Sequence, residues 1–436
     1  MGLECLVAPL VLKKTYFADR RPEGTMHPLR LWSFQRPFKL SNMIVFLRQM
    51  RGLWHMAGLC FCFFSLGLVG KDLAWDPDAV LERAGQNRFE ISQALDRIPA
   101  SQRAGLRFLL THMPESDLQS LSSGFLLENV DYAYRAWKES PWKSQVSEQL
   151  FFNQILPYAS INERRDAWRR SFYERLKPLV RDMDSPGLAA ARLNQEIFPL
   201  FGVRYSTKRK KADQSPFETM ENGLASCTGL SILLIDACRA VGIPARFVGV
   251  PLWSDGSGNH SWVEVWDEGW HFTGAAEPAG DALDQAWFIG RASKAERESR
   301  RHAIYAVSFR RTPQPFPMVW KRGSDQVHAV NVTDRYTALG TAMPEGMVQL
   351  MFRVFDEQSG DRCSAPIELR ESSGQLVFEG ASKDERFDAN DHLSVAVEKG
   401  KTYELTIPSD VGTVMKQTIQ VQRDGQLVDV TLDQIP

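Results

Sequence analysis

Cysteine is scarce in this 436-residue chain, and the six present (Cys5, Cys60, Cys62, Cys227, Cys238 and Cys363) follow no regular spacing. That excludes a disulfide-stapled scaffold, and no two of them stand with histidines at zinc-ligand spacing. Charge of one sign is missing as well: 52 Lys and Arg against 53 Asp and Glu leave a formal net charge of -1, so no global field draws the chain to nucleic acid or an anionic membrane. There is no internal repeat, no low-complexity tract and no loop of closely spaced acids of the kind that holds calcium. With 43% hydrophobic and 24% charged residues, the composition is that of a folded globular protein. Its length calls for two or three domains.

One long apolar run stands out, Leu53 to Val69, with Arg48 and Arg51 before it and Lys71 and Asp72 after it. At 17 residues it is marginal for a bilayer span. A basic start and an apolar middle fit a signal peptide or signal anchor, with Met43 and Met50 as alternative starts. Residues 1–70 are therefore read as leader, the protein as exported (periplasmic or extracellular), and residues 53–69 as its sole membrane contact.

From Pro77 to Phe198, apolar residues recur three and four apart, and Pro99, Pro114, Pro141, Pro157, Pro178 and Pro186 divide the pattern into several helices. Trp137, Trp142 and Trp168 are read as packing rather than as a ligand groove. The run Asn162 to Leu176 mixes arginines with acids and reads as a surface helix with solvated ion pairs. Lys208 to Lys211 form a basic loop, solvated or flanking a substrate entrance. Beyond Pro317 the pattern changes to seven short alternating stretches (348–355, 367–371, 376–379, 393–397, 403–407, 418–421 and 427–432). Turn signals at Ser359-Gly360, Ser373-Gly374, Lys399-Gly400 and Asp424-Gly425 separate them, which indicates a small antiparallel β-sandwich.

Chemistry concentrates between Glu221 and Trp266. Cys227 opens an apolar-periodic segment in which Leu230, Leu233, Leu234, Ala237 and Val241 face a core, and Gly242 with Pro244 end it. A thiol at a helix start sits where unpaired backbone N–H groups favour thiolate and can receive an oxyanion, with Ser226 placed to cap. Cys238, deeper in the same helix, is packing. In Asn259-His260-Ser261-Trp262-Val263-Glu264-Val265-Trp266, strand alternation puts His260, Trp262, Glu264 and Trp266 on one face. A histidine at the mouth of that strand can meet the thiol across a cleft.

These blocks, GLASCTGLSILLIDACRAVGIPARFVGV and then NHSWVEVW and GW, resemble the transglutaminase-like superfamily, which includes transglutaminases, bacterial cysteine peptidases and peptide N-glycanases. The resemblance covers roughly residues 196 to 290. It implies an α+β fold with a central papain-like core, set here between an N-terminal helical region (71–195) and the C-terminal sandwich (311–436), the core itself spanning 196–310. It also implies Cys227 as nucleophile and His260 as general base and acid, with an aspartate on the next strand. This sequence departs there: Gly269 to Pro278 lacks that aspartate, leaving Glu277 before Pro278 as the candidate third member, with Asp267 and Asp281 as weaker choices and His271 as strand surface. Ala225-Ser226 also replace a customary glycine before the nucleophile. No metal or organic cofactor is implied, and the expected partner is a protein or peptide substrate. Hydrolysis of an amide, transfer of its acyl group to an amine, and a non-catalytic scaffold that keeps the fold are the three readings these residues leave open.

Overall fold

A computed structural model describes residues 75–340, 343–356, 359–408 and 414–432, so the apolar run at 53–69 lies outside the described residues. Among the described residues no helix is long and apolar enough to cross a membrane. The chain is α+β. Among the described residues eight α-helices come first: α1 (Pro77–Arg83), α2 (Arg88–Arg97), α3 (Arg103–His112), α4 (Glu115–Leu118), α5 (Ser123–Glu139), α6 (Glu148–Gln154), α7 (Arg169–Val180) and α8 (Pro186–Phe201). Short β1 (Arg204–Tyr205), α9 (Pro216–Asn222) and β2 (Leu224–Ala225) lead into α10 (Cys227–Ala240). A five-stranded antiparallel sheet follows, in the order β5-β4-β3-β6-β7, from β3 (Ala245–Val250), β4 (His260–Trp266), β5 (Trp270–Thr273), β6 (Tyr305–Ser308) and β7 (His328–Asn331). Two short helices, α11 (Ile289–Ala292) and α12 (Thr333–Thr337), belong to its second face.

One apolar core runs from Val80 in the helices to Ala329 in the sheet. The expected boundary at 195/196 falls inside α8, and the one at 310/311 falls between two strands of one sheet. The helix α10 lies between α7 and α8 on one side and β3 and β4 on the other. Thr228 through Ala240 are consequently all buried, not just the five residues that periodicity assigns to a core face. Trp142 and Trp168 are buried and donate their indole N–H groups to Gly242 and Tyr158 carbonyls, while Trp137 stacks on Phe151.

The arginine-rich run departs from its expected form. Its helix begins only at Arg169, and Glu163, Asp166 and Arg169 are buried rather than solvated. The Arg169 guanidinium donates to the carbonyls of Ile155, Leu156, Pro157 and Arg239, drawing the irregular 155–157 segment onto the end of α10. Glu163 likewise accepts from the backbone N–H groups of Ser160 and Ile161. These charges order irregular chain, work that sequence periodicity does not encode.

The seven C-terminal strands form two facing sheets around their own core. They are β8 (Met347–Asp356), β9 (Pro366–Glu371), β10 (Leu376–Ala381), β11 (Leu393–Glu398), β12 (Thr402–Pro408), β13 (Val414–Gln420) and β14 (Gln426–Leu432), in the orders β10-β9-β12-β13 and β11-β8-β14. All pairs are antiparallel except β14 with β8. The chain reaches β14 by crossing from the other sheet, so no hairpin dictates its direction.

Strand β4 is fixed by a buried ion cluster. Glu264, fully buried, accepts from Arg246 at 2.7 Å, from Arg335 at 2.7 Å and from Tyr336 Oη at 2.8 Å. Removing its carboxylate strands the buried Arg246 guanidinium, so Glu264→Ala is expected to cost roughly 3–5 kcal/mol. Denaturant unfolding measures this, and a loss below about 1 kcal/mol would mean that water replaces the carboxylate.

Candidate active site

The site begins with two local choices of the chain. Ser226 has the extended backbone of a helix cap, but its hydroxyl donates to the Ala212 carbonyl at 3.0 Å and makes no capping bond to α10. The expected serine cap is absent, and the first N–H groups of the helix beside Cys227 are left for another acceptor. The second choice is at the start of β4. Alternation sends Ser261, Val263 and Val265 toward α10, where the Ser261 and Thr228 hydroxyls lie 3.2 Å apart, and leaves His260 and Trp262 on the aromatic side.

His260 is 1% exposed and sits among rings, 4.8 Å from Trp287 and 5.0 Å from Phe288 between centroids. Its Nδ1 lies 3.6 Å from Asp388 Oδ2, an ion-pair separation slightly longer than a hydrogen bond. Burial opposes charge on this imidazole. Asp388 and Cys227 outweigh burial and hold its pKa well above the ordinary histidine value. Asp388 is shifted the other way: burial raises it, and His260 with the Asn390 donors brings it below the usual carboxylate range. Cys227 Sγ, an imidazole nitrogen and an Asp388 oxygen all lie within 4.8 Å of one another. As donor types, the same three atoms could also hold a zinc ion.

Asp388 comes from the sandwich, in the connection between β10 and β11. Several contacts with residues outside the sandwich fix that connection. The Ala389 N–H donates to Tyr205 Oη at 2.8 Å, Asn390 Nδ2 donates to the Asn259 carbonyl at 2.9 Å, and Arg291 donates to the Asn390 carbonyl at 2.8 Å. At Gly258 a Cβ would come 2.5 Å from Asn390 Oδ1, so this close approach needs a glycine in the loop before His260. Arg362, within the sandwich, gathers the carbonyls of Phe387, Asp388 and Asp391. Lys208 of the basic loop pairs with Asp361 and Glu385, so that loop ties core to sandwich beside the cleft, while Lys211 pairs with Glu218.

Cys227, His260, Glu277 and Asp388 line one cleft of about 660 Å³, together with Phe198, Leu230 and Trp287. All three residues singled out in the sequence therefore line the same cleft. The carboxylate beside the imidazole nitrogen is Asp388, however, while Glu277 accepts from the Trp287 indole at 3.0 Å. Of the weaker candidates, Asp267 accepts from the Gly187 N–H, Asp281 from Gln195, and His271 is paired with Asp284 at 2.6 Å on the strand surface. Nothing in the sequence joins Asp388 to His260, since the contact arises only when the sandwich packs against the sheet and helices before it. The nearest signal is the dense Asp388-Ala389-Asn390-Asp391-His392 group in an otherwise bland sandwich.

Residues 175–274 match the family model of the transglutaminase-like superfamily. This transglutaminase-like segment contains α8, α10, Cys227 and His260, and it stops short of Glu277 and Asp388. No curated protein matches the chain. Among solved structures, it is similar to a Cytophaga hutchinsonii protein described as a "Putative Cysteine Protease" (19% identity, 25% of this chain and 37% of that one, TM-score 0.22). It is also similar to BcpA, the major pilin subunit of Bacillus cereus (12% identity, 30% and 37%, TM-score 0.15), and to the Bacillus anthracis TIE protein (9% identity, 44% and 30%, TM-score 0.16). The matched part thus spans about a third of each of these chains.

Proposed function

We propose that this protein is an exported cysteine enzyme acting on peptide or glycopeptide amide bonds. Cys227 is the nucleophile, His260 the acid and base, and Asp388 the carboxylate that orients and charge-balances the imidazole in place of Glu277. The carrying observation is the meeting of sulfur, imidazole and carboxylate within 4.8 Å in a cleft large enough for a peptide segment. The Cys227 proton passes to His260, and sulfur attacks the amide carbonyl. The oxyanion falls toward the uncapped N–H groups of α10, and imidazolium protonates the leaving amine to give a thioester. Water or a second amine then resolves it. The segment 53–69 supports export, and a protein or peptide is the partner such a cleft suits.

A thiolate paired with imidazolium alkylates at pH values where ordinary thiols hardly react. Iodoacetamide at about pH 6 is therefore expected to label Cys227 ahead of Cys238 and Cys363, as read by peptide mass mapping. Equal or absent labelling of Cys227 favours the scaffold reading. Incubating a glutamine peptide with a fluorescent primary amine separates the two catalytic outcomes: incorporation marks transfer, and release without incorporation marks hydrolysis.

A further inference from the structure

Glu277 is a second carboxyl in the cleft, and the thiol–imidazole–Asp388 arrangement does not use it. Its presentation is built. Residues 274–277 form a tight turn closed by the Glu277 N–H on the Gly274 carbonyl at 3.2 Å, with Ala276 at φ 64°, in the left-handed region that a side chain disfavours. Buried Asn194 of α8 braces the turn. Its Nδ2 donates to Thr273 Oγ1 at 3.0 Å and to the Gly274 carbonyl at 2.8 Å, and its Oδ1 accepts from the Ala276 N–H at 2.9 Å. A Cβ at position 274 would overlap Glu277 Oε2, so glycine there makes room for the carboxyl. Trp287 then fixes Oε2, and no lysine or arginine forms an ion pair with Glu277 among the described residues.

Neighbouring charges are paired elsewhere, Arg386 of the cleft lining with Asp384 among them. Burial pushes the Glu277 carboxyl up to about 7; His260 pulls it down, and Asp388 and Asp391 push it further up. Asp388 is committed to His260, and Asp391 has its own cation in Lys383. A strained and braced turn therefore delivers into a cleft that Arg204 and Arg386 also line a carboxyl with no direct ion-pair partner among the described residues. A ligand cation would lower the cost of its ionisation.

We propose that Glu277 is a recognition subsite for a positively charged nitrogen on the substrate, an ammonium or guanidinium held in the same cleft as Cys227. This rests on the reading of that cleft as a peptide-amide site. The cation has two sources, a lysine or arginine side chain on the acyl donor or the ammonium of an incoming acyl acceptor, and both use the same charge-assisted contact.

The test is protection of Cys227 from iodoacetamide in the full-length protein by three probes: N-acetyl-arginine methylamide, cadaverine, and neutral N-acetyl-norleucine methylamide. A cationic probe is expected to protect at tenfold or more lower concentration than the neutral one, and Glu277→Gln to erase the difference. Protection by the arginine probe alone assigns the donor side chain, by cadaverine alone the acceptor, and by both a shared subsite. Equal protection by neutral and cationic probes in the wild type overturns the proposal, as does a preference that survives in Glu277→Gln. A merely orienting role for Glu277 would change the probe-free alkylation rate and leave the ratio between probes intact. Calorimetric titration of the same probes into Cys227→Ala protein reads the subsite without any reactive thiol, so failure of the enzymatic reading and failure of this one are told apart.

Discussion

Alanine at position 227 is expected to leave a folded protein without turnover, a loss of roughly 10⁴-fold or more for a nucleophile that nothing replaces. Neither of the other described cysteines can stand in. Cys238 is fully buried in the last turn of α10, where burial pushes its thiol far up, and burial also raises Cys363, which belongs to the sandwich. Folding should survive, because α10 is held by Leu230, Ile232, Leu233, Leu234 and Ile235 in the core and Cys227 is only half-buried at its first turn. The expected stability change is about 1 kcal/mol or less. Activity in the glutamine-peptide assay and circular dichroism measure the two halves of this expectation. Retained turnover with a native spectrum would remove the thioester mechanism.

The parts of this structure that are local in the chain were legible in its sequence. Seven alternating stretches became β8 to β14, and the glycines of the four expected turns, Gly360, Gly374, Gly400 and Gly425, all sit at positive φ. Cys227 at the head of a helix and His260 at the head of a strand followed from periodicity, which reports which face a residue occupies. What was not legible depends on contacts between distant segments. Asp388 meets His260 only because Tyr205, Asn259 and Arg291 of the core hold the 388–391 connection. Glu163, Asp166 and Arg169 look like surface charge in the sequence, and their burial reflects backbone carbonyls and N–H groups that only the folded chain brings near them. Ser226 illustrates the same limit at short range: its position is that of a cap, yet the Ala212 carbonyl competes for its hydroxyl and wins.

Asparagine at position 388 is expected to lower kcat by roughly 10³- to 10⁴-fold while KM holds, as for a carboxylate that orients a catalytic imidazole. Two effects add. The negative charge that holds His260 protonated disappears, so the imidazole loses affinity for its proton and no longer offers the sulfur a charged partner over the same pH range. The acidic limb of the Cys227 alkylation profile therefore moves to higher pH, whereas a variant damaged only in packing would lose rate at every pH. In addition, a carboxamide can donate to Nδ1, which favours the tautomer with its proton on Nε2 and leaves that nitrogen unable to accept one. The substitution keeps the shape that the Asn390 N–H contact at 2.8 Å requires, so the fold should hold. Glu277→Gln supplies the contrast, because that carboxyl is bonded to an indole rather than paired with the imidazole, and its loss should change which probes bind before it changes the pH profile. A near-wild-type rate and an unmoved alkylation limb in Asp388→Asn would take the orienting role from the sandwich and return it to Glu277, the other carboxyl of the same cleft.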